Sequence, residues 1–103
     1  MNKCPVERCL KVLKNKWTIF IVRDLLGGEK RFGELKKSIN GVTKKVLSES
    51  LKHLENHNIV KRWSNNTFPL VVIYSLTPLG LSLKKILDDL AQWYIDNESE
   101  LNF

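Results

Sequence analysis

Residues 42–58 read VTKKVLSESLKHLENHN, and the reading of this stretch decides the fold. Leu47, Leu51 and Leu54 recur at spacings of four and three, which places them in one narrow apolar stripe of an α-helix. Lys45, Ser48, Glu49, Lys52 and Asn56 fall on the opposite side. Thr43 has the chemistry of an N-cap, and Val42 and Leu47 stand at the N′ and N4 positions of a hydrophobic staple. Val46 occupies the position where Glu or Gln would complete a capping box, so that half of the signal is absent. Asn58 suits a left-handed helix exit. Alone, the stretch describes an ordinary surface helix with a solvated charged face.

Its neighbours change that reading. Upstream, Phe32, Leu35 and Ile39 predict a short helix around Gly33–Ser38, and Asn40-Gly41 is a strong turn signal. A short helix, a tight turn and a second helix with a polar outer face form a helix-turn-helix, in which the first helix braces the second. Downstream, Ile59–Ser64 and Val71–Leu76 are rich in Val, Ile, Trp and Tyr and bracket Asn65–Leu70, which predicts a two-stranded hairpin with a long loop. A hairpin directly after a helix-turn-helix is the wing of a winged-helix domain. The predicted class is therefore α+β and mostly helical: a winged helix-turn-helix flanked by N- and C-terminal helices, with residues 1–103 as one domain.

The remaining elements are helical. Pro5 suits a first helical position, which puts Cys4 at the cap of a helix to about Lys14, with Val6, Cys9, Leu10 and Leu13 on its apolar side. Asn15-Lys16 interrupts, and a helix from about Trp17 to Leu26 follows. Its apolar residues leave little polar face, so it is the expected central core helix, ended by Gly27-Gly28. Thr77-Pro78 opens a last helix carrying Leu79, Leu81, Leu83, Ile86, Leu87, Leu90, Ala91, Trp93 and Tyr94. So much apolar surface on a terminal helix points to a second subunit rather than to the same core. No internal repeat, linker or low-complexity segment is evident.

Composition narrows the function. With 43% hydrophobic and 27% charged residues the chain is expected to fold, and no apolar run approaches the roughly 20 residues that span a bilayer. The start, MNKCPVERC, has no signal-peptide core, so a cytoplasmic location with no membrane partner is expected. The net charge of +6 is unevenly spread. Residues 1–62 carry 15 Lys and Arg against 6 Asp and Glu (+9), whereas residues 63–103 carry 2 against 5 (−3). A basic half points to a polyanion, because each neutralised phosphate releases counterions. Double-stranded DNA is the expected partner.

At the leading end of the second helix, Thr43, Lys44 and Lys45 stand where the helix dipole and free N–H groups favour phosphate. Lys45, Ser48, Glu49 and Lys52 are expected to reach base edges or phosphates from the outer face, since Lys pairs with guanine acceptors and Glu with the cytosine amino group. Lys30, Arg31, Lys36, Lys37 and, at the base of the hairpin, Lys61 and Arg62 flank the site. The loop between the strands has no basic residue, leaving Asn65, Asn66 and Thr67 as hydrogen-bond donors to phosphate.

Other chemistry is poorly supported. No glycine-rich phosphate loop, nucleophile–base spacing or paired carboxylate site suggests an enzyme, and Asp88-Asp89 reads as solvated. Glu49, His53 and His57 recur every four residues, yet a fourth ligand is missing and no metal or other cofactor is expected. Cys4 and Cys9 lie about 140° apart on a helix, a poor geometry for a disulfide. At a helix N-terminus, beside Lys3, the Cys4 thiolate is favoured and its reactivity raised, whereas Cys9 reads as a small core residue.

Taken together, Cys4-Pro5-Val6-Glu7, Lys16-Trp17, Arg31-Phe32 with Glu34-Leu35, the leucine helix Val42–Glu55, Tyr74-Ser75-Leu76-Thr77 followed by Gly80, and Leu90-Ala91-x-Trp93 resemble the HxlR-type winged helix-turn-helix transcriptional regulators of bacteria. The resemblance spans nearly the whole chain in order. It implies a sequence-specific DNA-binding regulator, a repressor by analogy, acting as a homodimer on a roughly palindromic operator. The dimer would be joined through the terminal helices, with Val6, Leu10, Leu83, Leu87, Leu90, Trp93 and Tyr94 at the interface. It also implies a response to electrophiles or oxidants at Cys4, as in some members. The alternative is a winged helix that serves only as a protein-interaction module.

Overall fold

The computed structural model describes residues 4–102, so Lys3, expected beside Cys4, lies outside the described residues. Helix α1 (Pro5–Leu13) starts with proline in its first turn and with Cys4 extended before it. Helix α2 (Lys16–Leu25) begins one residue earlier than the sequence suggests, because Asn15 is its cap: the Asn15 side chain accepts from the N–H groups of Trp17 and Thr18. It buries Thr18, Ile21, Val22 and Leu25 and is the core helix. Gly28, at φ 130°, turns the chain out of it.

Helix α3 (Phe32–Ser38) is opened by Glu34, whose Oε1 accepts from the N–H of Arg31 at 2.8 Å. Its far end is held to α2 by a hydrogen bond from Ser38 Oγ to the Asp24 carboxylate. Gly41, at φ 84°, makes the turn into helix α4 (Lys44–Asn56), and a side chain there would come within 3.9 Å of the Trp17 ring. Thr43 caps α4 by accepting from the Val46 N–H at 3.1 Å, while Val42 and Leu47 are both buried, as a staple requires. Leu47, Leu51 and Leu54 are essentially inaccessible to solvent and pack in one core with Ile21, Val22, Leu25, Leu35 and Ile39. Asn58 takes φ 61°, its N–H reaching Glu55 O and the Ile59 N–H reaching Leu54 O, which completes a Schellman exit.

Strands β1 (Val60–Ser64) and β2 (Val72–Leu76) form the expected antiparallel hairpin, in register from Val60 opposite Leu76 to Ser64 opposite Val72. On the far edge of β2, Lys30 and Tyr74 exchange both backbone hydrogen bonds, at 3.0 and 2.8 Å. Nothing in the Glu29-Lys30-Arg31 triplet advertises that pairing. The result is a winged helix-turn-helix.

The long terminal helix predicted from Thr77 onward is instead two helices, α5 (Pro78–Leu81) and α6 (Leu83–Asn97). Ser82 makes the break: its hydroxyl bonds the carbonyl of Leu79, in competition with the regular ladder. Two further expectations are corrected. Cys9, read as a core residue, is exposed, because α1 buries only Leu13 among the described residues. Leu83, expected at a subunit interface, is 9% exposed and belongs to the chain's own core, since α6 starts on that core before leaving it.

Thr77 fastens these parts together. Its Oγ1 donates to the carbonyl of Asn58 at 2.7 Å and accepts from the Gly80 N–H, while its own N–H donates to Ile59 O. Gly80 is therefore pressed against the start of the wing, where an added Cβ would lie 2.3 Å from Ile59 O. Gly80→Ala is expected to cost about 1–3 kcal/mol through overpacking against backbone, measurable as a lowered urea midpoint at unchanged m-value.

Candidate nucleic-acid interface

The buried seam of α4 leaves its other side free. Thr43, Lys44, Lys45, Ser48, Glu49 and Lys52 are all exposed, and Asn56 extends the same strip. The first N–H groups of the helix have no intrahelical acceptors, so the leading end presents donors together with the positive end of the dipole. The Thr43 oxygen already accepts from Val46, leaving its hydroxyl proton for an outside acceptor.

The cations of this region make no ion pair among the described residues. Among the described residues the ion pairs are Arg23–Asp24, Lys84–Asp88 and Lys85–Asp89. None uses a cation of α3, α4 or the wing, so Arg31, Lys36, Lys37, Lys44, Lys45, Lys52 and Arg62 all keep their charge available. The lysines of α6, by contrast, are neutralised one turn away along their own helix. Like charges held together without partners cost stability, and a polyanion removes that cost.

Not every expected residue joins one surface. Ser48, Glu49, Lys52 and Asn56 line a shallow cleft with Lys14 and His53. Arg31 lies in a separate depression with Glu29, Lys30, Glu34 and Ile73, on the side of the wing. Arg62 projects from β1 opposite Tyr74 and is exposed. In the loop, the Asn65 side chain is engaged internally, accepting from Val71 N–H and donating to Pro69 O, which leaves Asn66 and Thr67 as free polar groups there. Phe68, at the wing tip, is 98% exposed.

The histidines have a use that helical spacing did not reveal. His53 Nε2 bonds the carbonyl of Val12 at 2.7 Å, tying α4 to α1, and His57 Nδ1 bonds the carbonyl of His53. Their ring centroids lie 4.4 Å apart with the planes tilted by 39°. Among the described residues no group of three potential ligands gathers for a metal.

Other exposed surface is apolar. Val6 and Leu10 of α1, and Ile86, Leu90 and Trp93 along one side of α6, are more than half exposed, as is Ile95 on the other side of α6. A mostly apolar groove runs between α2 and α6, lined by Ile19, Phe20, Leu87, Leu90, Ala91 and Tyr94 together with Arg23 and Asp88. No helix among the described residues is long and apolar enough to cross a membrane.

Residues 12–101 match the HxlR-like helix-turn-helix family. The chain is a member of that family. This HxlR-like protein is 41% identical over 90 residues to the HTH-type transcriptional regulator YkvN of Bacillus subtilis, spanning 87% of this chain and 76% of that one. Its structure is similar to the crystal structure of the HTH-type transcriptional regulator ytcD, with a TM-score of 0.88 and 35% identity over 94% of this chain and 99% of the other. The regulator YodB of Bacillus subtilis is 35% identical over 91 residues, 87% of this chain and 81% of YodB. Crystal structures of reduced, diamide-treated and quinone-bound YodB give TM-scores of 0.79, 0.77 and 0.78 at 33, 33 and 34% identity. These cover 90, 93 and 90% of this chain and 92, 96 and 99% of theirs. The HxlR-like chain is thus a transcriptional regulator of helix-turn-helix type, not an enzyme.

Cys4 stands exposed at the cap of α1 in this HxlR-like fold. As a thiol its sulfur makes no formal cap bond, but the N–H of Glu7, and next that of Val6, favour its anion and hold the pKa below the ordinary thiol value of 9.0. The thiolate fraction rises with pH, so the rate of Cys4 alkylation in a Cys9→Ser background should reach half-maximum below pH 9.0. Unfolding in urea should move the profile back up, as followed by iodoacetamide labelling and mass spectrometry.

Proposed function

We propose that the chain is a homodimeric repressor that reads a pseudo-palindromic operator with α4 and changes its hold on that operator when Cys4 is modified. The observation that carries the DNA reading is the exposed, net basic outer face of α4, whose lysines make no ion pair among the described residues, seated by three buried leucines. Lys45, Ser48 and Lys52 are placed for base edges or phosphates. Thr43 and Lys44 serve the backbone at the leading end, and Glu49 is suited to a cytosine amino group. Arg31, Lys36, Lys37 and Arg62 hold the flanking backbone, which fixes register without reading sequence.

The homodimer is supported by the apolar face. Val6 and Leu10 project from α1, and the groove bounded by Leu87, Leu90, Ala91 and Tyr94 offers a surface of matching character on a second copy. Trp93 adds a large half-exposed ring to the same helix. Two copies related by a two-fold axis present two copies of α4, hence the palindrome. Repression needs nothing beyond binding, because a protein seated in the groove excludes others. Cys4 begins the helix that carries Val6 and Leu10, so an adduct there alters the surface through which the subunits meet.

Gel-shift and fluorescence-anisotropy titrations with the promoter DNA beside its own gene test this reading. Two chains should bind per duplex, and Lys45→Ala and Lys52→Ala should each weaken binding, the salt slope flattening by about one unit for each lost phosphate contact. Wild-type affinity in both variants would mean that another face meets DNA, and binding no tighter than to random sequence would favour a protein-interaction module. Diamide or a quinone should change operator binding by the wild type and leave Cys4→Ser unaffected; a Cys4→Ser protein that still responds rules out Cys4 as the sensor.

A further inference from the structure

Lys14, between α1 and α2, has φ 68° and ψ −62°. The Asn15 N–H donates to Leu13 O at 2.8 Å across it, which closes a three-residue γ-turn of the positive-φ form. That form is uncommon and strained for any residue with a Cβ, and glycine would adopt it more readily. Both sides of the turn are fixed. Leu13 is buried and Val12 O is held by His53, while Asn15 must stay where it caps α2. The backbone therefore demands this conformation whatever residue stands there, and the chain places a lysine in it.

The side chain is exposed and makes no ion pair among the described residues. It lines the same cleft as Ser48, Glu49, Lys52, His53 and Asn56, beside the outer face of α4. The other half of the junction runs the same way: the Trp17 ring lies against Gly41, at the turn that leads into α4. The α1–α2 junction thus borders α4 on one flank, from its approach turn to its later turns.

We propose that Lys14 is a DNA-backbone contact, its ammonium holding a phosphate at the rim of the groove that α4 enters, next to Lys52. Strain retained at one position is most economically explained by what the side chain does there. A flexible ammonium set on the flank of the helix, rather than on its crest, meets phosphate and not base edges, so it adds affinity and register without sequence preference. This inference rests on the reading of α4 as the DNA-contacting helix.

The test uses the full chain, a duplex selected by the wild type from a random-sequence library, and anisotropy titrations over a range of salt. Lys14→Gly should bind the selected and random duplexes more weakly by the same factor. Its slope of log K against log salt should be flatter by about one unit per bound chain. It should also melt at a higher temperature than wild type, because glycine relieves the turn. Lys14→Ala should lose the same slope without the gain in stability, and Lys14→Arg should keep the slope. A Lys14→Gly protein with wild-type slope overturns the proposal, as does weaker binding at unchanged slope, which would mark a purely structural role. A melting temperature below wild type overturns the strain argument on which it is built. If the wild type selects no duplex, the reading of α4 falls with it; if it does and only the Lys14 variants behave as wild type, this inference alone fails.

Discussion

Everything in this protein depends on α4 being immovable on one side and unoccupied on the other. Leu47, Leu51 and Leu54 make the first condition, each contributing on the order of 1.5–3 kcal/mol by leaving water for the core that α2 supplies. A helix seated this way is preorganised, so its backbone has little freedom left to lose when its far side meets a partner. Both ends are equally defined, by the Thr43 cap and the Asn58 Schellman exit. The side chains of Lys45, Ser48 and Lys52 are the parts left to adapt.

The charge distribution follows the same division. Among the described residues, cations on α3, α4 and the wing make no ion pair, whereas Lys84 and Lys85 are matched to Asp88 and Asp89 one turn on. The terminal helix is electrostatically quiet and rich in exposed apolar side chains, while the helix-turn-helix is electrostatically loud and has its apolar side chains buried. Two kinds of surface on one small chain fit the two kinds of contact proposed above, one with an anion and one with a like molecule.

Much of this was legible in the residues. The leucine spacing, the Thr43 cap, the Asn40-Gly41 turn and the two β-rich runs are local signals, and local signals gave the winged helix nearly to the residue. What escaped was tertiary. Cys9 and Leu83 traded the surroundings expected of them, because helical periodicity shows which side of a helix is apolar but not how far the core reaches along it. The bond from His53 to the Val12 carbonyl joins residues distant in sequence, so its place in a repeat of polar residues hid it. Lys14 was invisible for another reason: a lysine carries no mark of the positive φ it adopts. Asn65 read as a free donor and proved to be the clasp of its own loop.

The bridge between Lys30 and Tyr74 makes the chain from one to the other a ring, with α3, α4 and β1 all inside it. The entropic penalty for such a closure grows only with the logarithm of its length, so a single reciprocal pair of hydrogen bonds is an inexpensive clasp for so long a segment. Once closed, the ring removes free ends from the reading unit, and fraying cannot enter it from either terminus without first undoing the edge of β2. The helix-turn-helix and its wing are therefore expected to open as one cooperative unit, with amide exchange at Lys30 and Tyr74 reporting on the whole.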